Sequence, residues 1–290
     1  MTDSPREQSL STLRWLIDAG ADEAIAEAPV NRFSPPMPAS LERESVRRSP
    51  QSEGGRPREE SVSVKASASP LPFGEARKNA EAVSLSTAPG MARALAASCA
   101  SLAELKNALM NFEGCALKRY ATNTVFADGT PHGGIMLIGE APGRDEDEQG
   151  LPFVGRAGKL LDRMLGSIGL DRGKVYITNV LNWRPPQNRD PSPEEAAACL
   201  PFLHRHIELA EPQLLILLGA VSVRHVLGLT EGIMRARGRW EVYQSAHLGR
   251  AIPVMPTLHP AFLLRQPGAK RLAWRDLLAI SEKIEALGLA

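Results

Sequence analysis

The sequence has few cysteines and aromatic residues, almost no net charge and no long apolar run. Its 290 residues include three Cys and 5% aromatics, and 34 Lys and Arg residues nearly balance 33 Asp and Glu residues. Three cysteines exclude a disulfide-rich secreted scaffold and a four-thiolate metal site within one chain. A net charge of +1 gives no global basic excess for binding nucleic acid. The longest apolar stretch, Leu214–Leu218 with its flanks, is too short to cross a bilayer.

The first third of the chain predicts a short helix followed by a linker. Residues 1–28 carry apolar side chains at helical spacing with acidic residues among them, which indicates an N-terminal helix rather than a signal peptide. Such a helix is marginal alone, so we expect it to dock on the main domain or on a protein partner. Residues 29–92, rich in Ser, Pro, Ala and charged residues, predict a disordered linker. We expect a cytoplasmic monomer with no membrane association.

Residues 93–290 alternate predicted strands and helices. Apolar runs predict four strands, at Gly134–Ile138, Val175–Val180, Gln213–Leu218 and Ile252–Thr257. Helical periodicity predicts helices at Ser101–Phe112, Gly158–Ile168, Pro193–Leu209, Ser222–Leu227 and Leu272–Ala286. This alternation indicates an α/β fold with a parallel sheet covered on both faces. Ligands of such sheets bind at the carboxyl ends of the strands, so the residues there are the candidate site.

Two glycine-rich loops follow the first predicted strand. Gly139–Asp147 forms a tight turn whose backbone N–H groups can face a ligand, but it is neither a P-loop nor a dinucleotide fingerprint. Its carboxylates would equally suit a solvated acidic loop that binds a divalent ion weakly. Gly150–Gly158 holds Phe153 among small residues. Phe153 is either a loop anchor or a face on which a planar base stacks.

The second and fourth predicted strands end in polar residues. Asn179 offers a donor and an acceptor, which suits the edge of an amide-like heterocycle, although it could also cap a turn. The loop after it carries Arg184 and Arg189 between prolines and is typical of a backbone-contacting loop. His259 ends the fourth strand, and the apolar run Ala261–Leu264 follows it. That run is either a wedge for a DNA stack or the first turn of a packed helix.

These strand-end motifs together resemble those of the family 4 uracil-DNA glycosylases. The matching segments are Gly139–Gly143, Gly150–Gly155, Thr178–Val180 and His259–Ala261. The resemblance implies a three-layer α/β/α sandwich with a short central parallel four-stranded sheet. It implies an enzyme, a hydrolase that flips uracil out of single- or double-stranded DNA and cleaves its N-glycosidic bond, leaving an abasic site. The alternative is a catalytically weak module on the same fold that binds damaged or abasic DNA.

The resemblance also implies roles for individual residues. Glu140 would position or deprotonate the water and stabilise the sugar cation, with Glu146 as a second candidate, and His259 would donate to uracil O2. Uracil would be bound by Gly139, Ala141, Phe153 and Asn179. DNA would be contacted by Pro142, Gly143, Arg184, Arg189, Pro260, Leu263, Leu264 and Arg265.

The cysteines depart from the family pattern. The family usually carries an iron–sulfur cluster on four cysteines, and here Cys115 and Cys199 match two of those places. Phe112 stands at a third, and the fourth falls near Leu214 and Leu215. A cluster needs four ligands, so we expect no cluster, no metal and no other cofactor in this chain.

Overall fold

The computed structural model describes residues 87–245 and 247–289. The predicted N-terminal helix and most of the predicted linker lie outside the described residues. Helix α1 spans Ala88–Ala97, and the Thr87 hydroxyl caps it by accepting from the Gly90 N–H. Since α1 begins at Ala88, the last residues of the segment predicted as a linker are helical.

The described residues form one six-stranded sheet. Its strands are β1 (Asp128–Gly129), β2 (Ile135–Gly139), β3 (Tyr176–Asn179), β4 (Leu214–Leu218), β5 (Glu241–Gln244) and β6 (Ala251–Thr257). They lie in the order β1-β3-β2-β4-β6-β5. The pairs β3–β2, β2–β4 and β4–β6 are parallel, whereas β1 and β5 pair antiparallel at the two edges.

The four predicted strands are the four parallel ones, but the sheet is mixed rather than purely parallel. Strands β1 and β5 were not predicted from the sequence. Neither has a buried apolar run, since β1 has only two residues and Val242 in β5 is 55% exposed. Both depend on pairing with a neighbouring strand, which sequence periodicity does not record.

Helices cover both faces of the sheet. They are α2 (Leu102–Asn111), α3 (Arg144–Gln149), α4 (Arg156–Gly166), α5 (Pro193–Ala210), α6 (Ala220–Leu227), α7 (Ile233–Ala236), α8 (Pro260–Arg265) and α9 (Lys270–Leu287). One core lies between the sheet and α4, α8 and α9, and a second lies between the sheet and α5, α6 and α7. The predicted three-layer α/β/α class is therefore confirmed. Within the described residues, every helix is too short or too polar to span a membrane.

Alternating side chains of each parallel strand supply the two cores. In β2, Ile135 and Leu137 face the first core, while Met136 and Ile138 face the second. Each such side chain contributes roughly 1.5–3 kcal/mol on burial. The far side of α5 packs against α1 and α2 in a third cluster that also holds the cysteines. This packing holds the parallel strands in one register, with Gly139 paired to Asn179.

The strand order places a crevice at the carboxyl edge of the sheet. From β2 the chain passes to β3 on one side and then crosses to β4 and β6 on the other. Loops leaving neighbouring strands in opposite directions open a cleft between them. The polar residues at the ends of β2, β3 and β6 lie around that cleft.

Candidate active site

A cavity of about 370 Å³ opens at the carboxyl edge of the sheet. Its volume is within the usual range of small-ligand pockets. Five predicted functional residues line it together: Glu140, Ala141, Phe153, Asn179 and His259. Four of the predicted DNA-contacting residues also line it: Pro142, Gly143, Arg189 and Arg265. The residues at the predicted strand ends therefore lie around one cavity.

The Phe153 ring is held in the cavity wall by a strained backbone. Phe153 is buried and has φ +55°, a left-handed conformation that non-glycine residues rarely adopt. Arg172 fixes this turn, because its guanidinium donates to the carbonyls of Pro152 and Phe153. The same guanidinium pairs with Asp128 at 2.6 Å and with Asp162 at 2.8 Å.

Two glycines leave room for the Phe153 loop. A Cβ at Gly139 would lie 2.5 Å from Phe153 Cζ and would also collide with Asn179 Oδ1. A Cβ at Gly158 would collide with the Phe153 carbonyl oxygen. Gly139 thus acts beneath the pocket, where its missing side chain allows the ring and the amide to approach each other.

Asn179 lines the cavity and carries a buried acceptor that is unsatisfied. Among the buried side-chain atoms of the described residues, its Oδ1 is the one without a hydrogen-bond partner. A buried acceptor left unpaired costs about 1–3 kcal/mol. The geometry therefore favours a ligand that donates a hydrogen bond at this point.

His259 is positioned as a neutral hydrogen-bond donor. Its Nδ1 accepts from the Ala261 N–H at 3.1 Å, where His259 caps the start of α8. With Nδ1 as an acceptor, the neutral ring carries its proton on Nε2. Burial, with a smaller contribution from Arg265, lowers the pKa of His259 to about 4. Its ring centroid lies 5.5 Å from that of Phe153.

Glu140 supplies one of the carboxyl groups of the cavity. Burial raises the pKa of this carboxyl above its usual range, and the carboxylate of Asp190, which lines the same cavity, raises it further. Arg265 and Arg224 oppose this shift. Two nearby cations therefore help the buried carboxyl to ionise.

Glu146 braces two loops and is not free to activate water. One carboxylate oxygen accepts from the N–H groups of Val154 and Gly155, and the other accepts from the Gly143 N–H. The second candidate for the catalytic carboxylate is thus committed to holding the glycine-rich loops together. Glu140 remains the candidate for that role.

The predicted DNA-contacting residues fall into different environments. Leu263 is fully buried in the core and Pro260 is also buried, so both expectations of DNA contact are corrected. The apolar run after His259 is the first turn of a packed helix, with Leu264 37% exposed at its outer side. Arg189 is paired with Glu195 at 2.6 Å, and Arg184 donates to Asn188 at 2.8 Å.

The cysteines do not form a four-ligand set. The Cys115 and Cys199 sulfurs lie 4.0 Å apart. Phe112 packs edge-to-face on Phe202, and Leu215 is fully buried in the sheet. Within the described part of the chain, no group of three or more His, Cys, Asp or Glu residues is placed to hold a metal ion. The residues present therefore do not fit an iron–sulfur cluster.

Sequence reasoning missed Arg172 and Asp190. Arg172 acts on the pocket through contacts to residues 19, 20 and 44 positions away. Asp190 belongs to a proline-rich loop that lines the cavity. The local sequence of this loop does not show that it reaches the cavity. No sequence signal outside a comparison of relatives identifies either residue.

Comparison with known proteins agrees with this fold. Residues 126–278 match the family model described as the uracil DNA glycosylase superfamily. The chain belongs to this superfamily.

Similar proteins show to which branch of the superfamily the chain belongs. A type-4 uracil-DNA glycosylase from Sulfurisphaera tokodaii is 39% identical over 187 residues, covering 63% of this chain and 84% of that protein. One from Archaeoglobus fulgidus is 41% identical over 186 residues, covering 63% and 92%. One from Thermotoga maritima is 43% identical over 155 residues, covering 52% and 77%. The chain belongs to the type-4 uracil-DNA glycosylases, which confirms the predicted family and class of enzyme.

Proposed function

We propose that this chain excises uracil from single- and double-stranded DNA by hydrolysing its N-glycosidic bond, as a base excision repair enzyme. The unpaired Oδ1 of Asn179 carries the proposal. Uracil presents an N3–H donor beside the O4 acceptor, which complements the two ends of an Asn amide. Cytosine presents an acceptor at N3, so the same amide oxygen would face it unpaired and reject it.

The remaining groups of the cavity suit the departure of a uracil anion. Phe153 offers a stacking face for a base that has left the helix. The Nε2–H of neutral His259 would donate to O2, where negative charge develops as the bond breaks. Ionised Glu140 would stabilise the positive sugar and orient the attacking water. Each protein group named here is a side chain of a residue that the structure describes.

An oligonucleotide assay tests the proposal. Purified protein is incubated with single- and double-stranded oligonucleotides that contain one uracil, and alkali then cleaves any abasic site. Cleavage at the uracil, absent with thymine or cytosine at that position, is expected. His259→Ala and Glu140→Ala should each slow release about 100-fold or more. Tight binding of uracil DNA without any cleavage would instead favour the non-catalytic damage-binding module.

We also propose that the enzyme works without an iron–sulfur cluster. Two thiols stand where four ligands are needed, and Phe112 packs in the same cluster as these thiols. Leu215, which we expected to fill another ligand place, packs instead in the second core. The purified protein should be colourless, and Cys115→Ser with Cys199→Ser should still release uracil. A brown protein with stoichiometric iron would refute this.

We also propose a cellular location and an oligomeric state for the enzyme. We expect a cytoplasmic monomer, with the segment predicted as an N-terminal helix available to a protein partner. Light scattering coupled to size exclusion should give the mass of one chain, 31.3 kDa. A dimer mass would refute the monomer, and recovery of the protein in a secreted or membrane fraction would refute the location.

A further inference from the structure

A second, shallow cleft adjoins the uracil cavity and is lined by three arginines. Arg144 comes from α3, Arg156 from the start of α4, and Arg184 from the loop after β3. The cleft and the uracil cavity share Glu146, Ala157 and Asn188 in their linings, so they are contiguous. We infer that this arginine cleft binds the DNA backbone phosphate that flanks the flipped nucleotide, an inference that rests on the proposed function.

The charge of two of these arginines is not neutralised by carboxylates. Within the described ranges, Arg156 and Arg184 form no ion pair, unlike Arg172, Arg189 and Arg237. Arg184 is oriented by the bond from its Nε to Asn188 Oδ1, which leaves its terminal nitrogens for another acceptor. A guanidinium held in this way matches a phosphate group.

The two acidic residues in the cleft do not cancel this charge. Glu146 directs its carboxylate oxygens at three backbone N–H groups, as described above. Asp145 pairs with Arg144 at 3.4 Å in an exposed contact that contributes little. The N-terminus of α4, an 11-residue helix, adds a partial positive charge beside Arg156.

Salt dependence of binding tests the phosphate contact. Arg156→Gln and Arg184→Gln are compared with Arg250→Gln, an exposed arginine at the amino end of β6, opposite the site. Binding is measured on a single-stranded oligonucleotide with an abasic-site analogue, across a salt series. Each cleft variant should weaken binding about 10-fold and reduce the slope of log K against log salt by about 0.7. Arg250→Gln should match the wild type, and unchanged slopes in both cleft variants would overturn the inference.

A neutral linkage locates the phosphate. The uracil oligonucleotide is prepared with a methylphosphonate at the 5′ or the 3′ side of the deoxyuridine, and KM and kcat are measured. At one of these positions the neutral linkage should raise the wild-type KM about 10-fold. On that modified substrate, Arg156→Gln should raise KM little further, because the contact is already lost. Effects that multiply at both positions would overturn a contact to the flanking phosphate.

The two proposals fail in different ways. If the wild type releases uracil while both cleft variants keep the wild-type slope and KM, the arginine cleft inference falls and the proposed function stands. If the wild type releases no uracil but the cleft variants lose salt slope, the proposed function falls and a phosphate contact of another DNA-binding role stands.

Discussion

Gly139 shows how one missing side chain sets the geometry of the cavity at the carboxyl edge of the sheet. Its Cα position lies between the ring of Phe153 and the amide of Asn179, with no space for a Cβ. We predict that Gly139→Ala displaces both groups and lowers kcat/KM for uracil release at least 100-fold. The strain should lower the free energy of unfolding by about 1–3 kcal/mol.

A second glycine provides the matched control for that substitution. Gly166, the last residue of α4, has open space around its Cβ position. Gly166→Ala should keep activity and raise stability by up to about 1 kcal/mol, because alanine favours the helix. Equal activity of the two variants in the oligonucleotide assay would contradict the packing argument.

We expect protonation of Glu140 to set the acid limit of activity. Burial raises the pKa of Glu140 above 4.5, whereas the pKa of His259 is lowered to about 4. As pH falls, Glu140 gains its proton first, while His259 stays neutral. We predict a rate of uracil release that falls on the acid side with one proton, at a pH above the ordinary Glu pKa. Glu140→Gln should flatten this limb, and a limb that persists would show that another group causes it.

At the scale of elements, Glu146 ties α3 to the loop that carries Phe153. We predict that Glu146→Gln breaks this link, since an amide replaces one accepting oxygen with a donor. Activity should fall about 10-fold or more, with a lower Tm, because buried N–H groups lose their acceptors. Glu148→Gln, on the same helix but 65% exposed, should change neither. Equal Tm values for the two variants would argue against the brace.

The elements also show what could be predicted from sequence. The parallel strands were found because each is a buried apolar run, and Asn179 and His259 were found because they end such runs. Edge strand β5 was missed because its stability comes from β6. Arg172 and the brace role of Glu146 were missed because both depend on contacts between loops. The sequence also left open whether Leu263 is exposed or buried, because its burial depends on how α8 packs against the rest of the fold.

At the scale of the whole molecule, buried histidines link stability to pH. His206 is buried between Phe126 and Tyr176, and burial lowers its pKa to about 3. Between about pH 6.5 and pH 3 the unfolded chain therefore binds a proton that the folded protein excludes. The stability that comes from keeping His206 neutral is fully present above pH 6.5 and is lost as pH falls through this window.

We predict a measurable slope in that window. The free energy of unfolding should fall by up to about 1.4 kcal/mol per pH unit from His206, with a further contribution from His259 above its pKa of about 4. His206→Gln should remove the first part of this slope in urea titrations at several pH values. His132→Gln, at an exposed loop position, should leave the slope unchanged.

The unpaired oxygen of Asn179 has a consequence for the balance between stability and activity in this fold. Without uracil, the molecule keeps a buried acceptor that no protein group satisfies. An apolar side chain of similar shape would remove that penalty. The free energy of unfolding of Asn179→Leu should therefore be about 1 kcal/mol higher than that of the wild type, while the variant should release no uracil. A Tm at or below that of the wild type would contradict this. The resting enzyme is thus slightly less stable than its sequence could be, and under the proposed function a bound uracil would supply the missing hydrogen bond.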